Sequence, residues 1–222
     1  MGSADVNAIV DGGVVAIIRL DSAQGLIDVA RAIALGGVTT IEFTMTTPGA
    51  LGMLAEVARE LGSGVTLGAG TVLDSETARA AILAGARFIV SPTLSESVIA
   101  TCRRYGVVSI PGAYSPTELL AATELGADLV KLFPASALGP AYVRDVMAPL
   151  PQLRLVATGG VTLDNAAAFI KAGACAVAVG GSLVDQATVA SGNLGVLTER
   201  ASAFRSAVQQ ARMPVQAGRS QQ

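Results

Sequence analysis

A short β-branched run followed by an alanine-rich run with helical spacing recurs eight times along this chain, and few folds accept that rhythm. The β-branched runs fall at residues 14–20, 39–44, 65–68, 87–91, 107–111, 129–132, 153–157 and 176–179. Helical spacing fills the intervals, for example at 23–35, 50–61, 75–84, 95–105, 116–125 and 163–172. The strands are apolar almost throughout, so both of their faces are expected to be covered, which is the signature of a parallel sheet between layers of helices. Eight β–α units predict an α/β fold of the closed (β/α)₈ TIM-barrel kind, with an open doubly wound sheet as the alternative. An extra N-terminal helix over 5–10 is expected to cap the barrel's amino end. Residues 1–212 then form a single barrel domain, and the polar tail 213–222 is expected to be frayed.

Composition narrows the function. With 51% apolar residues in 222, the chain can bury one large core. A net charge of −2 and 4% aromatics argue against a nucleic-acid partner, which needs a basic face or stacking platforms. The start, Met1-Gly2-Ser3-Ala4-Asp5, lacks the layout of a signal peptide, and no apolar run approaches a membrane span. A cytoplasmic protein with no membrane partner is expected. Cys102 and Cys175 have no metal-ligand spacing and read as small core residues. Histidine is absent, so the usual zinc ligand and the commonest general base are missing.

Barrel enzymes assemble their sites at the carboxyl ends of the strands. Here those ends carry Arg19, Glu42, Thr71, Pro92, Lys131, Phe133, Gly159, Gly160, Gly181 and Ser182. Lys131 stands out, because it is one of two lysines against thirteen arginines and lies inside the apolar run Leu129-Val130-Lys131-Leu132-Phe133-Pro134. Burial disfavours an ammonium, and a neutral amine attacks ketones and aldehydes to form a Schiff base. The competing reading is a strand-end lysine whose ammonium reaches water. Glu42, in Thr40-Ile41-Glu42-Phe43-Thr44, is a candidate acid/base aimed into the barrel mouth, or an ion-pair partner of Arg19 or Lys131. Arg19 offers a fork of donors for a substrate carboxylate. Asp128 reads as a strand-start charge facing solvent.

Two glycine pairs follow the last two strands, in Thr158-Gly159-Gly160-Val161 and Val179-Gly180-Gly181-Ser182. One such pair is commonly just a turn. Two at these adjacent strands favour a phosphate held by loop amides, with Ser182 adding a hydroxyl.

Taken in order, Ala16-Ile17-Ile18-Arg19, Ile41-Glu42-Phe43-Thr44, Gly68-Ala69-Gly70-Thr71-Val72, Ser91-Pro92, Pro111-Gly112, Val130-Lys131-Leu132-Phe133-Pro134-Ala135 and Thr158-Gly159-Gly160-Val161 resemble the 2-keto-3-deoxy-6-phosphogluconate aldolases. The resemblance extends to the relatives acting on the galactonate epimer and on 4-hydroxy-2-oxoglutarate. It implies a class I aldolase in which Lys131 forms the Schiff base and Glu42 is the acid/base. Thr71, Pro92 and Phe133 would line a pyruvate pocket, and Gly159, Gly160, Gly181 and Ser182 would hold phosphate. It also implies a homotrimer, a small phosphorylated 2-keto acid as substrate, no cofactor and no metal. Thr46 stands where some members carry an arginine for the keto-acid carboxylate, a charge that Arg19 could supply instead, and Thr93 stands where relatives often have glycine or a bulkier polar residue. Both changes bear on substrate choice more than on reaction type. Two other readings stay open from the residues: a phosphate-binding barrel isomerase or synthase in which Lys131 only neutralises charge, and a non-catalytic phospho-ligand sensor.

Overall fold

The computed structural model describes residues 2–21 and 25–213. Within them nine parallel strands form one sheet: β1 (Val14–Ile18), β2 (Thr40–Thr44), β3 (Thr66–Gly70), β4 (Phe88–Val90), β5 (Val108–Ile110), β6 (Gly112–Ala113), β7 (Val130–Leu132), β8 (Leu155–Thr158) and β9 (Ala176–Val179). Their order is β5-β4-β3-β2-β1-β9-β8-β7-β6. This is the expected barrel, with one difference of detail. The fifth run is broken at Pro111, which has no N–H to give a ladder. Below the break Val108–Ile110 pair with β4, and above it Gly112 and Ala113 pair with β7. The two ends of the sheet are therefore successive pieces of one strand, and the barrel closes there.

Asp128 helps to hold that seam and does not simply face solvent as expected. Its Oδ2 accepts from the Ser109 backbone N–H at 2.9 Å and from the Ser109 hydroxyl at 3.2 Å. The Ser109 carbonyl in turn accepts from the N–H groups of Asp128 and Leu129.

Among the described residues ten α-helices surround or cap the strands: α1 (Gly2–Gly12), α2 (Leu26–Leu35), α3 (Ala50–Leu61), α4 (Ser75–Leu83), α5 (Glu96–Tyr105), α6 (Pro116–Glu124), α7 (Gly139–Met147), α8 (Leu163–Lys171), α9 (Gln186–Ala190) and α10 (Gly195–Arg212). Their starts follow from local chemistry. Asp74 accepts from Thr77 N–H ahead of α4, and Ser115 and Glu118 form a reciprocal box around Pro116 ahead of α6. The N-terminal helix runs longer than expected, and its buried Asp5 pairs with Arg87 at the entry to β4. The beginning of the helix expected at 23–35 and the tail beyond Met213 lie outside the described residues. Among the described residues no helix is long and apolar enough to cross a membrane.

Alternation along the strands separates two cores. Outward residues such as Ile41, Phe43, Ile89, Leu132 and Leu155 pack beneath the helices. Inward residues such as Val15, Phe88, Val108, Leu129 and Ala176 fill the barrel, and Val6 and Ile9 of α1 close its lower end. Glu42 and Lys131 share the inward parity, so the barrel's apolar filling ends upward in two charged groups.

Candidate active site

At the carboxyl ends of the strands the barrel opens into a cavity of about 640 Å³. Its wall includes Arg19, Glu42, Lys131, Phe133, Gly159, Gly160, Gly181 and Ser182. Arg19 and Ser182, 163 positions apart in sequence, thus meet because parallel strands all end on one face. Arg19 sits one residue past the end of β1 and its side chain is exposed. Thr71 and Pro92 do not line this cavity. Thr71 follows β3 with φ 57, a left-handed backbone unusual for a residue with a β-carbon, and Pro92 follows β4. Thr46 lies in the loop after β2, donates its hydroxyl to Thr44 Oγ1 at 3.2 Å, and borders a separate shallow depression.

Glu42 is 2% exposed and Lys131 5% exposed, so neither charge is solvated by bulk water. Burial pushes the Glu42 carboxyl above the ordinary carboxylate range, against the pull of the Lys131 and Arg19 charges. Burial pushes the Lys131 amine below the ordinary lysine range, Glu42 opposes that, and Arg19 adds to it. The two shifts bring a base and an acid toward each other, which suits proton transfer near neutrality. The Lys131 Nζ lies 4.7 Å from the centre of the Phe133 ring, where the ring face favours whatever positive charge the nitrogen carries. Glu42 itself leans over Gly70 of β3, a position with no side chain of its own.

Another part of the cavity wall is backbone. Gly159 and Gly160 both take left-handed conformations, with φ 90 and φ 70, and a β-carbon on Gly160 would run into Ser136 from the neighbouring loop. Gly160, Val161, Gly181 and Ser182 donate to no carbonyl among the described residues, and all four line the cavity. Free N–H groups converging on one space are what an anion requires. Several wall residues were not singled out from sequence: Thr158 at the end of β8, and Asp185 and Gln186 at the start of α9. Asp185 is already engaged, since Arg200 and Thr188 both bond its carboxylate and hold it well below the usual carboxylate range. Cys102 and Cys175 stand apart from this chemistry, with burial pushing their thiols up to about 12 and about 11.

A barrel of parallel strands whose mouth sets a buried amine beside a buried carboxylate defines an α/β-barrel enzyme suited to carbonyl chemistry. Comparison with known proteins narrows that class. The family model for KDPG and KHG aldolases matches residues 6–199, and the chain belongs to that family; it is an aldolase, a lyase. It is 38% identical over 187 residues to the 2-dehydro-3-deoxy-phosphogluconate aldolase of Treponema pallidum, covering 83% of this chain and 88% of that one. It is 34% identical to the probable 2-dehydro-3-deoxy-6-phosphogalactonate aldolase of Rhizobium meliloti over 75% of this chain and 77% of the relative. The solved native KDPGal structure superposes with a TM-score of 0.83 at 30% identity, over 89% of this chain and 95% of the other.

Proposed function

We propose that this aldolase cleaves 2-keto-3-deoxy-6-phosphogluconate to pyruvate and glyceraldehyde 3-phosphate through a Schiff base on Lys131, without a metal. The observation that carries the reading is the pair of buried groups, Lys131 and Glu42, facing one cavity with their proton affinities displaced toward each other. The neutral Lys131 amine adds to the C2 ketone, and Glu42 supplies the proton with which the carbinolamine loses water to give an iminium ion. Glu42, now a carboxylate, takes the C4 hydroxyl proton directly or through one water. The C3–C4 bond breaks, its electron pair moves into the iminium to form an enamine, and the aldehyde phosphate leaves. Protonation at C3 and addition of water release pyruvate and the free amine. Phe133 favours the iminium charge, Arg19 holds the keto-acid carboxylate, and the amides of Gly160, Val161, Gly181 and Ser182 receive the phosphate. In this reading Thr71 and Pro92 shape the pyruvate end from outside the main cavity wall.

The relative from Rhizobium meliloti and the KDPGal structure favour the galactonate epimer as a second reading, and family resemblance keeps 4-hydroxy-2-oxoglutarate as a third. The same resemblance supports a cytoplasmic homotrimer built of one barrel domain per chain. Retro-aldol assays on the three substrates in the presence of chelator, with borohydride trapping of pyruvate, test the proposal. Cleavage of the phosphorylated gluconate ahead of the others, with reduced pyruvate on the Lys131 peptide and loss of both in Lys131→Ala, is expected. Label on Lys171, or activity abolished by chelator, would overturn it.

A further inference from the structure

Asn165 stands in the first turn of α8, away from the reacting groups, and both ends of its amide are occupied. Its Oδ1 accepts from the Thr162 N–H at 2.9 Å, and its Nδ2 donates to the Gly160 carbonyl at 2.9 Å. The first contact is ordinary helix capping. The second reaches outside the helix and fixes the plane of the peptide joining Gly160 to Val161. In a trans peptide the C=O and N–H point in opposite directions. With the carbonyl drawn toward α8, the Val161 N–H is turned away from the helix, and it meets no acceptor among the described residues.

That peptide has reason to need a clamp. Gly160 has no β-carbon and sits at φ 70, so its own backbone does little to stop the following peptide plane from swinging. An N–H aimed at an anion contributes only while it keeps its direction, because charge-assisted hydrogen bonds weaken steeply with misalignment. Gly160 and Val161 both border the cavity. We propose that Asn165 is a positioning residue of the anion-binding end of the site, holding the Gly160–Val161 peptide so that the Val161 N–H faces the substrate phosphate. This rests on the reading that the substrate is phosphorylated. It differs from a capping role in one respect: the bond that matters runs to Gly160, not to Thr162.

The test compares Asn165→Ala with the unaltered enzyme on 2-keto-3-deoxy-6-phosphogluconate and on 4-hydroxy-2-oxoglutarate, with inorganic phosphate as inhibitor and circular dichroism as a check on folding. The KM for the phosphorylated substrate should rise on the order of ten- to hundredfold, inhibition by phosphate should weaken in parallel, and the KM for the short substrate should stay within about twofold. Asn165→Asp keeps the acceptor for Thr162 and removes the donor for Gly160. Assayed at high ionic strength to screen its charge, it should repeat the selective loss, and it serves if the alanine variant does not fold. Equal losses on both substrates, or a lower melting temperature with both KM values unchanged, would make Asn165 a helix cap alone. An unaltered enzyme indifferent to phosphate in substrate and inhibitor would overturn the substrate reading and this inference together, whereas phosphate preference that survives both substitutions would overturn this inference only.

Discussion

The carboxylate of Glu42 occupies the space that a β-carbon on Gly70 would fill. β3 presents glycine at two successive inward positions, and each vacancy is taken from a neighbouring strand: Phe88 of β4 covers Gly68, and Glu42 of β2 covers Gly70. The acid/base candidate is thus laid down against bare backbone, in a berth left open by Gly70, two residues beyond its register partner Gly68 on β3.

Gly70→Ala should displace the carboxylate while leaving the amine in place. Turnover should fall by roughly 10²–10⁴-fold, the range for losing a positioned acid or base, while borohydride still traps pyruvate on Lys131. A folded Gly70→Ala enzyme with nearly normal kcat would show that the carboxylate does not need this berth.

The pH dependence of imine formation should move in opposite directions in two variants. On the proposed mechanism Lys131 must be neutral to attack, and its proton affinity is lowered by burial, raised by Glu42 and lowered by Arg19. Glu42→Gln removes the group that retains the proton, so the rise of borohydride trapping with pH should shift to lower pH. Arg19→Gln removes a group that expels it, so the rise should shift to higher pH. Measurement at saturating pyruvate separates this from weaker binding, and shifts of the same sign in both variants would contradict the electrostatic account.

The lower vacancy makes a stability prediction. Phe88 is fully buried, and Phe88→Ala should destabilise the fold by about 3–5 kcal/mol in chemical denaturation. Gly68→Ala should cost about 1–3 kcal/mol by crowding the ring. In the double variant Gly68→Ala, Phe88→Leu the two changes should be less than additive, since the shorter side chain gives up the disputed space. Strict additivity would mean that the two positions do not share it.

Much of this arrangement is legible in the sequence because a strand buried on both faces is a continuous apolar run, and a charge inside such a run is conspicuous. Lys131, Glu42 and the eight β–α units stand out for that reason. The break at Pro111 follows from proline's missing N–H, although only the pairing shows that the two halves serve different neighbours. The Gly70 berth is invisible in one dimension, since it depends on β2–β3 register. Asn165 looks like any polar residue at a helix start, and its bond to Gly160 needs the loop in three dimensions. Thr71 and Pro92 match the family in their order along the chain, and neither borders the main cavity.

At the seam the Pro111 carbonyl accepts from the backbone N–H of Lys131 at 2.9 Å. The residue whose side chain offers the amine is therefore also a fastener of the cylinder, gripping with its main chain the one stave that is split. Prising the wall apart at that joint would carry the amine away from Glu42, so the bonds that close the cylinder also keep its amine and carboxylate together.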